Sequence, residues 1–247
     1  FDFKPHTNQL KTRPSPIEPS KQITLEDLFG SEDKEGVFHQ EFDHYKFRKS
    51  QFQYAQSALK GLENDQFLSL EAETGIGKTL GYLAALAVWS QTNDARVVLS
   101  TGTRQQQNQI IDKTLPIIHK YFPLKATVVK GRDNYLCLRK YSFYLNHRKD
   151  TLSQEDREHF LTLIPWLAIT QTGEISENSG FNPLRNRILW QKLKGDGRTC
   201  QGPSCQEEFK CFSFKARERA VKSQLLIINH ALFFKDLEFD FALLPSW

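Results

Sequence analysis

A glycine-rich segment at residues 71–80 has the residue types that bind a triphosphate. Its sequence, EAETGIGKTL, fits the pattern G-x-x-x-x-G-K-[ST] except that Ala72 takes the place of the first glycine. Glycines allow backbone N–H groups to surround phosphates, and a helix that begins at the loop directs its positive end toward them. The segment therefore predicts a nucleotide site, with an incidental glycine-rich turn as the alternative.

The residues of this loop have separate predicted roles. Lys78 is expected to place its ammonium group on the β and γ phosphates, and the Thr79 hydroxyl is expected to bind the Mg²⁺ that bridges them. These two are the candidate catalytic residues. The predicted nucleotide contacts within the loop are Thr74, Gly75, Ile76, Gly77, Lys78, Thr79 and Leu80.

Four cysteines form a second group with the types and spacing for chemistry. They are Cys137, Cys200, Cys205 and Cys211, and the chain has no others. Proteins of the cytoplasm seldom keep disulfides, so the clustering predicts a shared metal centre rather than four unrelated buried thiols. Structural zinc sites favour two C-x2-4-C pairs, whereas gaps of 62, 4 and 5 residues suit an iron–sulfur cluster slightly better. Zinc stays the alternative.

Alternating strand and helix patterns must position both groups. Strands are predicted at 67–72, 96–100, 125–129 and 224–229, and helices at 23–29, 51–60, 80–91 and 104–119. Such alternation indicates a parallel sheet with right-handed crossovers. It stops at Gly131, after which helices are predicted at 135–149, 153–170 and 183–193. The predicted fold class is α/β, with a parallel-sheet domain that is interrupted by a mainly helical insert.

The composition is that of an ordinary globular protein, because 39% of the 247 residues are hydrophobic. No apolar stretch is long enough to cross a bilayer and no secretory leader opens the chain, so a cytoplasmic location without membrane contact is expected. Lys and Arg are concentrated at 130–150, where there are six against two acids, and at 181–222, ten against four. These segments favour an anion-binding surface, with solvated helix faces as the alternative.

Several short motifs follow one another along the chain. They are RKSQ at 48–51, the loop at 71–79, LSTGTR at 99–104, KGRDNYLC at 130–137, the cysteine cluster, CFSFKAR at 211–217 and INHALF at 228–233. This ordered series resembles the DinG/XPD-like iron–sulfur helicases of superfamily 2, and the DinG branch in particular. The resemblance spans about residues 47–234. It implies a RecA-like P-loop domain with an iron–sulfur domain as the insert.

The resemblance also implies functions. The complete protein would be an ATP-dependent DNA helicase that uses ATP and Mg²⁺, moves 5′ to 3′ on single-stranded DNA and acts in DNA repair or replication. Gln51, helped by Arg48, resembles the adenine-reading glutamine. Ser100, Thr101 and Thr103 resemble residues that grip DNA phosphates, with a helix cap as the alternative.

For the insert, the resemblance implies that the four cysteines hold a 4Fe-4S cluster beside the DNA strand or a strand junction. The aromatic residues near the first cysteine have two interpretations, stacking on bases or packing in the core. These residues are Tyr135, Tyr141, Phe143 and Tyr144. Asn229 and His230 fit the family pattern, and a helix cap and a core histidine are the simpler interpretations.

Four domains are predicted: an N-terminal arm or linker at 1–45, the first part of the RecA-like domain at 46–130, the iron–sulfur domain at 131–215 and a truncated continuation of the RecA-like domain at 216–247. With no Met, and with Phe1 and Trp247 at its ends, the chain is expected to be cut at both ends. By resemblance, a D-E-A-H box and a second RecA-like domain would follow in the same complete chain.

The carboxylates of the D-E-A-H box would anchor Mg²⁺ and orient the attacking water. Because the fragment lacks them, it is expected neither to hydrolyse ATP nor to unwind DNA. The alternative function is a metal-stabilised nucleic-acid-binding module whose nucleotide loop drives no motor. A small-molecule P-loop kinase is disfavoured by the insert and its cysteines.

Overall fold

Within the described residues, three parallel strands form one sheet. The computed structural model describes residues 22–239 and 243–245. Its strands are β1 (Val97–Thr101), β2 (Ala126–Val128) and β3 (Leu225–Asn229), in the order β1-β3-β2. The central strand is β3, since Leu225 pairs with Val97 on one side and with Ala126 on the other. The predicted α/β class and the strands predicted at 96–100, 125–129 and 224–229 are confirmed.

Helices make up most of the remaining regular structure. The α-helices are α1 (Leu25–Phe29), α2 (Val37–Glu41), α3 (Lys49–Glu63), α4 (Lys78–Trp89), α5 (Arg104–Gln109), α6 (Leu115–Tyr121), α7 (Leu138–Asn146), α8 (Arg148–Thr151), α9 (Gln154–Leu161), α10 (Leu163–Ile169), α11 (Arg187–Leu193), α12 (Phe212–Val221) and α13 (His230–Glu238). A π-helical turn, Ile110–Thr114, joins α5 to α6. Within the described residues, no helix is both long and apolar enough to span a membrane.

The sheet is covered on both faces. Successive side chains of a strand point to opposite faces, and the four residues from Leu225 to Ile228 are all fully buried. Leu225 and Ile227 belong to a core that is built mainly from α1, α3, α4 and α6. Leu226 and Ile228 belong to a smaller core with Ala220 and Leu232. The apolar run of β3 therefore reflects burial on two sides, as is typical of a parallel strand.

The predicted strand at 67–72 is wrong. Residues 66–73 form an irregular segment, in which Phe67 is fully exposed and Leu68 is 45% exposed. A strand is stable only when its N–H and C=O groups pair with a neighbour. In the part of the chain that the structure describes, no strand pairs with this segment, so an apolar run that suits a buried strand remains irregular.

The sequence predicts an arm or linker at 1–45, but side chains from residues 22–45 belong to the core that contains Leu225 and Ile227. Leu28, Phe29 and Phe38 are fully buried, and the Phe29 and Phe38 rings meet edge to face with centroids 5.0 Å apart. The capping box of α1, in which Thr24 and Asp27 bind each other's backbone N–H groups, fixes the start of that helix. Residues 1–21 lie outside the described residues.

The predicted helical insert lies between β2 and β3 and has a core of its own. Its buried side chains come from residues 136–193 and include Phe160, Leu163 and Leu189. The single helix predicted at 153–170 is two helices, α9 and α10. Pro165 lies in the first turn of α10 and has no N–H to donate to a preceding carbonyl, so a continuous helix would lose a hydrogen bond there.

Candidate functional site

The glycine-rich loop starts a helix as predicted, but the strand predicted to precede it is not formed, because residues 66–73 are irregular. Gly75 and Gly77 have φ angles of +86° and +87°, a region in which a side chain is strained. Gly77 is the N-cap of α4, which runs for 12 residues from Lys78. The loop therefore ends at the amino end of a helix, where backbone N–H groups and the helix dipole favour an anion.

The two candidate catalytic residues lie in the first turn of α4. The ammonium nitrogen of Lys78 donates to the carbonyl oxygens of Ala72 and Glu73, at 2.8 and 3.0 Å. The Lys78 side chain therefore lies across the loop and binds its backbone. Thr79 interacts with Tyr82. Burial raises the pKa of Tyr82, and the hydrogen bond with Thr79 acts in the opposite direction. Of the other predicted loop contacts, Thr74 is exposed, and Ile76 and Leu80 are half-buried.

Arg48 and Gln51 contact the loop from α3 and its N-cap. The guanidinium of Arg48 donates to the Gly75 carbonyl at 2.7 Å, and the amide of Gln51 donates to the Gly77 carbonyl at 3.1 Å. Gln51 is only 4% exposed. The structure thus brings both predicted adenine-binding residues to the loop, where they bind its backbone.

The three predicted DNA-binding residues lie at the carboxyl end of β1 and have different environments. The Ser100 hydroxyl lies 2.7 Å from Nδ1 of His230. Thr101 is 6% exposed, and its hydroxyl donates to the carbonyls of Thr103 and Ile228. Thr103 caps α5, because its hydroxyl accepts from Gln106 N at 3.2 Å. Thr103 is exposed and Ser100 is half-buried, whereas the Thr101 hydroxyl is used inside the fold.

The four cysteines line one cavity of about 180 Å³. Cys137 is the N-cap of α7 and Cys211 is the N-cap of α12, while Cys200 and Cys205 lie in the loop before α12. Tertiary hydrogen bonds bring the segments together: Cys137 N donates to Leu193 O at 2.9 Å, and Nη2 of Arg139 donates to Thr199 O at 2.9 Å. A sequence gap of 62 residues is thereby closed by contacts at the base of the insert.

Charged side chains surround the thiols. Arg132, Arg139, Lys140 and Arg217 line the cavity together with the acids Asp196 and Glu208. The cations therefore outnumber the acids, which favours a negatively charged occupant. Burial raises the pKa of the Cys211 thiol, and hydrogen bonds from backbone N–H groups of Phe214 and Ser213 act against this rise.

The thiols share a cavity but do not form a ligand set for one ion. Among the described residues, no group of three or more His, Cys, Asp or Glu side chains is arranged to hold a metal ion. A structural zinc site needs four ligands around a single ion, with Zn–S distances of about 2.3 Å.

The aromatic residues near Cys137 divide between the core and the surface. Tyr135 and Tyr141 are 2% and 8% exposed, and Tyr141 stacks on Phe160 with centroids 4.8 Å apart. Phe143 is half exposed and stacks on His147. Only Phe143 among these three presents a ring to solvent, so the core interpretation holds for the two buried tyrosines.

Two side-chain pairs were missed from the sequence. One is His230 with Ser100, which are 130 positions apart, and no local pattern predicts that contact. The other is Arg217 with Ser213, whose Nη1 and Oγ atoms are 2.5 Å apart. Their spacing of four residues inside the motif CFSFKAR places them on one helical face, and this spacing was the available signal.

These features define an α/β protein in which a glycine-rich loop starts one helix and a helical insert carries four thiols around one cavity. The sequence matches no protein-family model. It is 32% identical over 197 residues to the 3′-5′ exonuclease DinG of Bacillus subtilis, with 78% of this chain and 20% of that protein aligned. It is 29% identical over 208 residues to the ATP-dependent DNA helicase YoaA of Haemophilus influenzae, with 82% and 31% aligned.

A third relative is the ATP-dependent helicase DinG of Mycobacterium tuberculosis, 29% identical over 223 residues, with 81% of this chain and 32% of that protein aligned. The chain therefore spans 20 to 32% of the length of these three proteins. It is a DinG-like sequence, related to one segment of the DinG and YoaA proteins, and the predicted family resemblance is confirmed.

Proposed function

We propose that this chain is the nucleotide-binding and metal-binding segment of an ATP-dependent DNA helicase. The observation that carries the proposal is the loop that starts α4, with Gly75 and Gly77 at positive φ and Lys78 lying across it. The names of the relatives, ATP-dependent DNA helicase YoaA and ATP-dependent helicase DinG, give the class of activity. A RecA-like domain at 46–130 and 216–247, interrupted by a metal domain at 131–215, is the proposed organisation.

In the nucleotide site, Lys78 would exchange the carbonyls of Ala72 and Glu73 for the β and γ phosphates. Thr79 would turn from Tyr82 to Mg²⁺. Gln51 and Arg48 already bind the loop at Gly77 and Gly75, so their first role is to hold the loop in a shape that accepts phosphates. Adenine recognition by the same side chains would require them to exchange these partners.

Nucleotide binding by the 247-residue chain tests this site. A fluorescent ATP analogue with Mg²⁺ should bind the wild type and should bind Lys78→Ala at least tenfold more weakly, because one charge-assisted phosphate contact is lost. Lys60→Ala, which changes an exposed lysine of α3, is the matched control and should bind as the wild type does. Equal binding by all three proteins would refute the nucleotide site.

The spacing of the cysteines and the basic lining of their cavity favour a thiolate-bound 4Fe-4S cluster slightly over a single zinc ion. The four thiols line one cavity, and their number matches the four cysteine ligands of a 4Fe-4S cluster. The segment at 194–212, which contains Cys200, Cys205 and Cys211, has no core of its own, since none of its residues is buried. A centre bound by Cys200, Cys205 and Cys211 would supply the contacts that fix this loop, as metals do in small domains.

Elemental analysis of protein purified without oxygen tests the metal. About four irons and four sulfides per chain are expected, and Cys205→Ser should lose most of both while Ser204→Ala keeps them. Stoichiometric zinc without iron would replace the cluster by a zinc site. That result would support the alternative function, a metal-stabilised nucleic-acid-binding module.

Single-stranded DNA is the proposed polymer, and movement from 5′ to 3′ is the proposed polarity. Ser100 and Thr103 at the end of β1 would bind its phosphates, and the basic insert would lie along its path. The chain contains no D-E-A-H sequence, so the 247 residues alone are proposed to bind ATP and DNA without unwinding. In the full-length gene product, Lys78→Ala should abolish unwinding and leave single-stranded DNA binding within about twofold. Unwinding by that variant would refute the motor function.

A further inference from the structure

The thiol cavity contains a half-buried cation without a carboxylate partner. Arg217 lines the cavity, and none of the salt bridges between described residues includes it. Its guanidinium donates to the hydroxyl of Ser213 at 2.5 Å and to the carbonyl of the same residue at 3.4 Å. Both partners are neutral, so the positive charge of Arg217 is not compensated by an acid.

The position of the guanidinium is fixed by α12. Ser213 is 9% exposed and lies four residues before Arg217, on the same helical face. Burial lowers the pKa of Arg217, as does the nearby charge of Arg132, whereas the thiols of Cys200 and Cys211 raise it. The side chain is thus held near the thiols by a hydrogen bond and packing rather than by an ion pair with another residue.

Burying a guanidinium costs free energy unless an opposite charge or hydrogen bonds compensate it. Two contacts with Ser213 use only one of its three nitrogens, so the N–H donors of the other two can bind a further acceptor. A thiolate-bound cluster is anionic and offers sulfur acceptors at this place. The uncompensated cation and the four thiols therefore complement each other.

We propose that Arg217 is the charge-compensating residue of the metal centre and that it raises the reduction potential of this centre. The inference rests on the proposed cluster and adds a role for a residue that binds no iron. Ser213 acts with it as a positioning residue. Reduction adds one electron to an already negative centre, and a nearby cation stabilises the reduced form more than the oxidised form. Because the site is half-buried, solvent screens this interaction only partly.

Charge variants of Arg217 test the inference in the complete chain, purified without oxygen. Arg217→Gln removes the charge and keeps a hydrogen-bond donor for Ser213, whereas Arg217→Lys keeps the charge and loses the planar fork. Arg219→Gln is the matched control, since Arg219 lies on the same helix, is exposed and does not line the thiol cavity. The measurements are iron and sulfide per chain and the midpoint potential of the centre, followed by absorbance during a redox titration.

The expected result is a midpoint potential that is clearly more negative for Arg217→Gln, nearly unchanged for Arg217→Lys, and unchanged for Arg219→Gln. A purely structural role would instead lower the iron content of the Lys and Gln variants alike without moving the potential of the remaining centres. That result, or an unchanged potential in Arg217→Gln with full iron content, overturns the inference and leaves the proposed function intact. Zinc without iron in the wild type overturns the inference together with the proposed cluster, and the nucleotide site is then tested separately by the Lys78 variant.

Discussion

Replacing Gly77 by alanine should damage the loop much more than the same change at Gly75. The two glycines have nearly identical φ angles, +87° and +86°, so the conformational strain of an added Cβ is similar, about 1–2 kcal/mol. Their surroundings differ. A Cβ at Gly75 would meet no atom within 4 Å, whereas one at Gly77 would lie 2.1 Å from Nε2 of Gln51.

The additional cost at Gly77 follows from the environment of Gln51. That side chain is 4% exposed, and Nε2 donates to the Gly77 carbonyl at 3.1 Å. Moving it to make room for a methyl group breaks this bond and leaves a buried donor without a partner, which costs about 1–3 kcal/mol. The free energy of unfolding should therefore fall by about 1–2 kcal/mol in Gly75→Ala and by about 2–5 kcal/mol in Gly77→Ala.

Urea unfolding of both variants, followed by circular dichroism, measures the difference. A double-mutant cycle with Gln51→Ala isolates its cause, because removing the glutamine also removes the clash. The double variant should be at least about 1 kcal/mol more stable than the sum of the single changes predicts. Equal losses for the two glycine variants, or an additive cycle, would refute the view that Gln51 packs against the loop.

Three further predictions concern other parts of the chain. Tyr121 donates to Glu41 at 2.6 Å, and this hydrogen bond raises the tyrosine pKa to about 12 from the ordinary 10. The stabilisation by the protonated phenol is complete below pH 10 and is lost as the pH rises to 12, so Tyr121→Phe should show a flatter loss of stability between pH 10 and 12; an identical profile would contradict this. Lys130 and Glu174 form an ion pair in which each side chain is 13% exposed, and Glu174→Gln should lower the free energy of unfolding by about 1.5–3 kcal/mol; a loss below about 0.5 kcal/mol in urea unfolding would mean that the pair is solvated. Asn229 caps α13 through Leu232 N at 2.8 Å, so Asn229→Ala should cost about 1 kcal/mol and Asn229→Asp much less, and equal losses in thermal unfolding would exclude the cap.

The parts of the fold that depend on local pattern were predictable from the sequence. The residues of β3 form a continuous apolar run because both faces of the strand are covered, and α4 follows a loop whose glycines mark its start. The strand predicted at 67–72 failed because strand formation needs a neighbour, and no local pattern shows whether one is present. The burial of Phe29 and Phe38 was missed as well, because polar and charged residues between and around them dominate the local composition.

The candidate site shows the same limit. The sequence predicted that the cysteines belong together, but their meeting at one cavity depends on contacts such as Cys137 N to Leu193 O. The sequence could not show that Thr101 and Gln51 are buried, because a residue of either type can lie at the surface or inside the fold. Burial and hydrogen-bond partners distinguish them, and both are tertiary properties.

The placement of the four thiols indicates what a ligand at the cavity would hold together. Cys137 lies on the chain that enters the insert and Cys211 on the chain that leaves it, each at the start of a helix. Cys200 and Cys205 lie in the loop between the insert's own core and α12, where no residue is buried. The helices of the insert can therefore pack without the thiols, because their core comes from residues 136–193. A ligand of all four thiols would instead join the two chain connections to the loop and close the insert at its base. Loss of the ligand should for this reason loosen residues 194–212 first and leave the helical core folded.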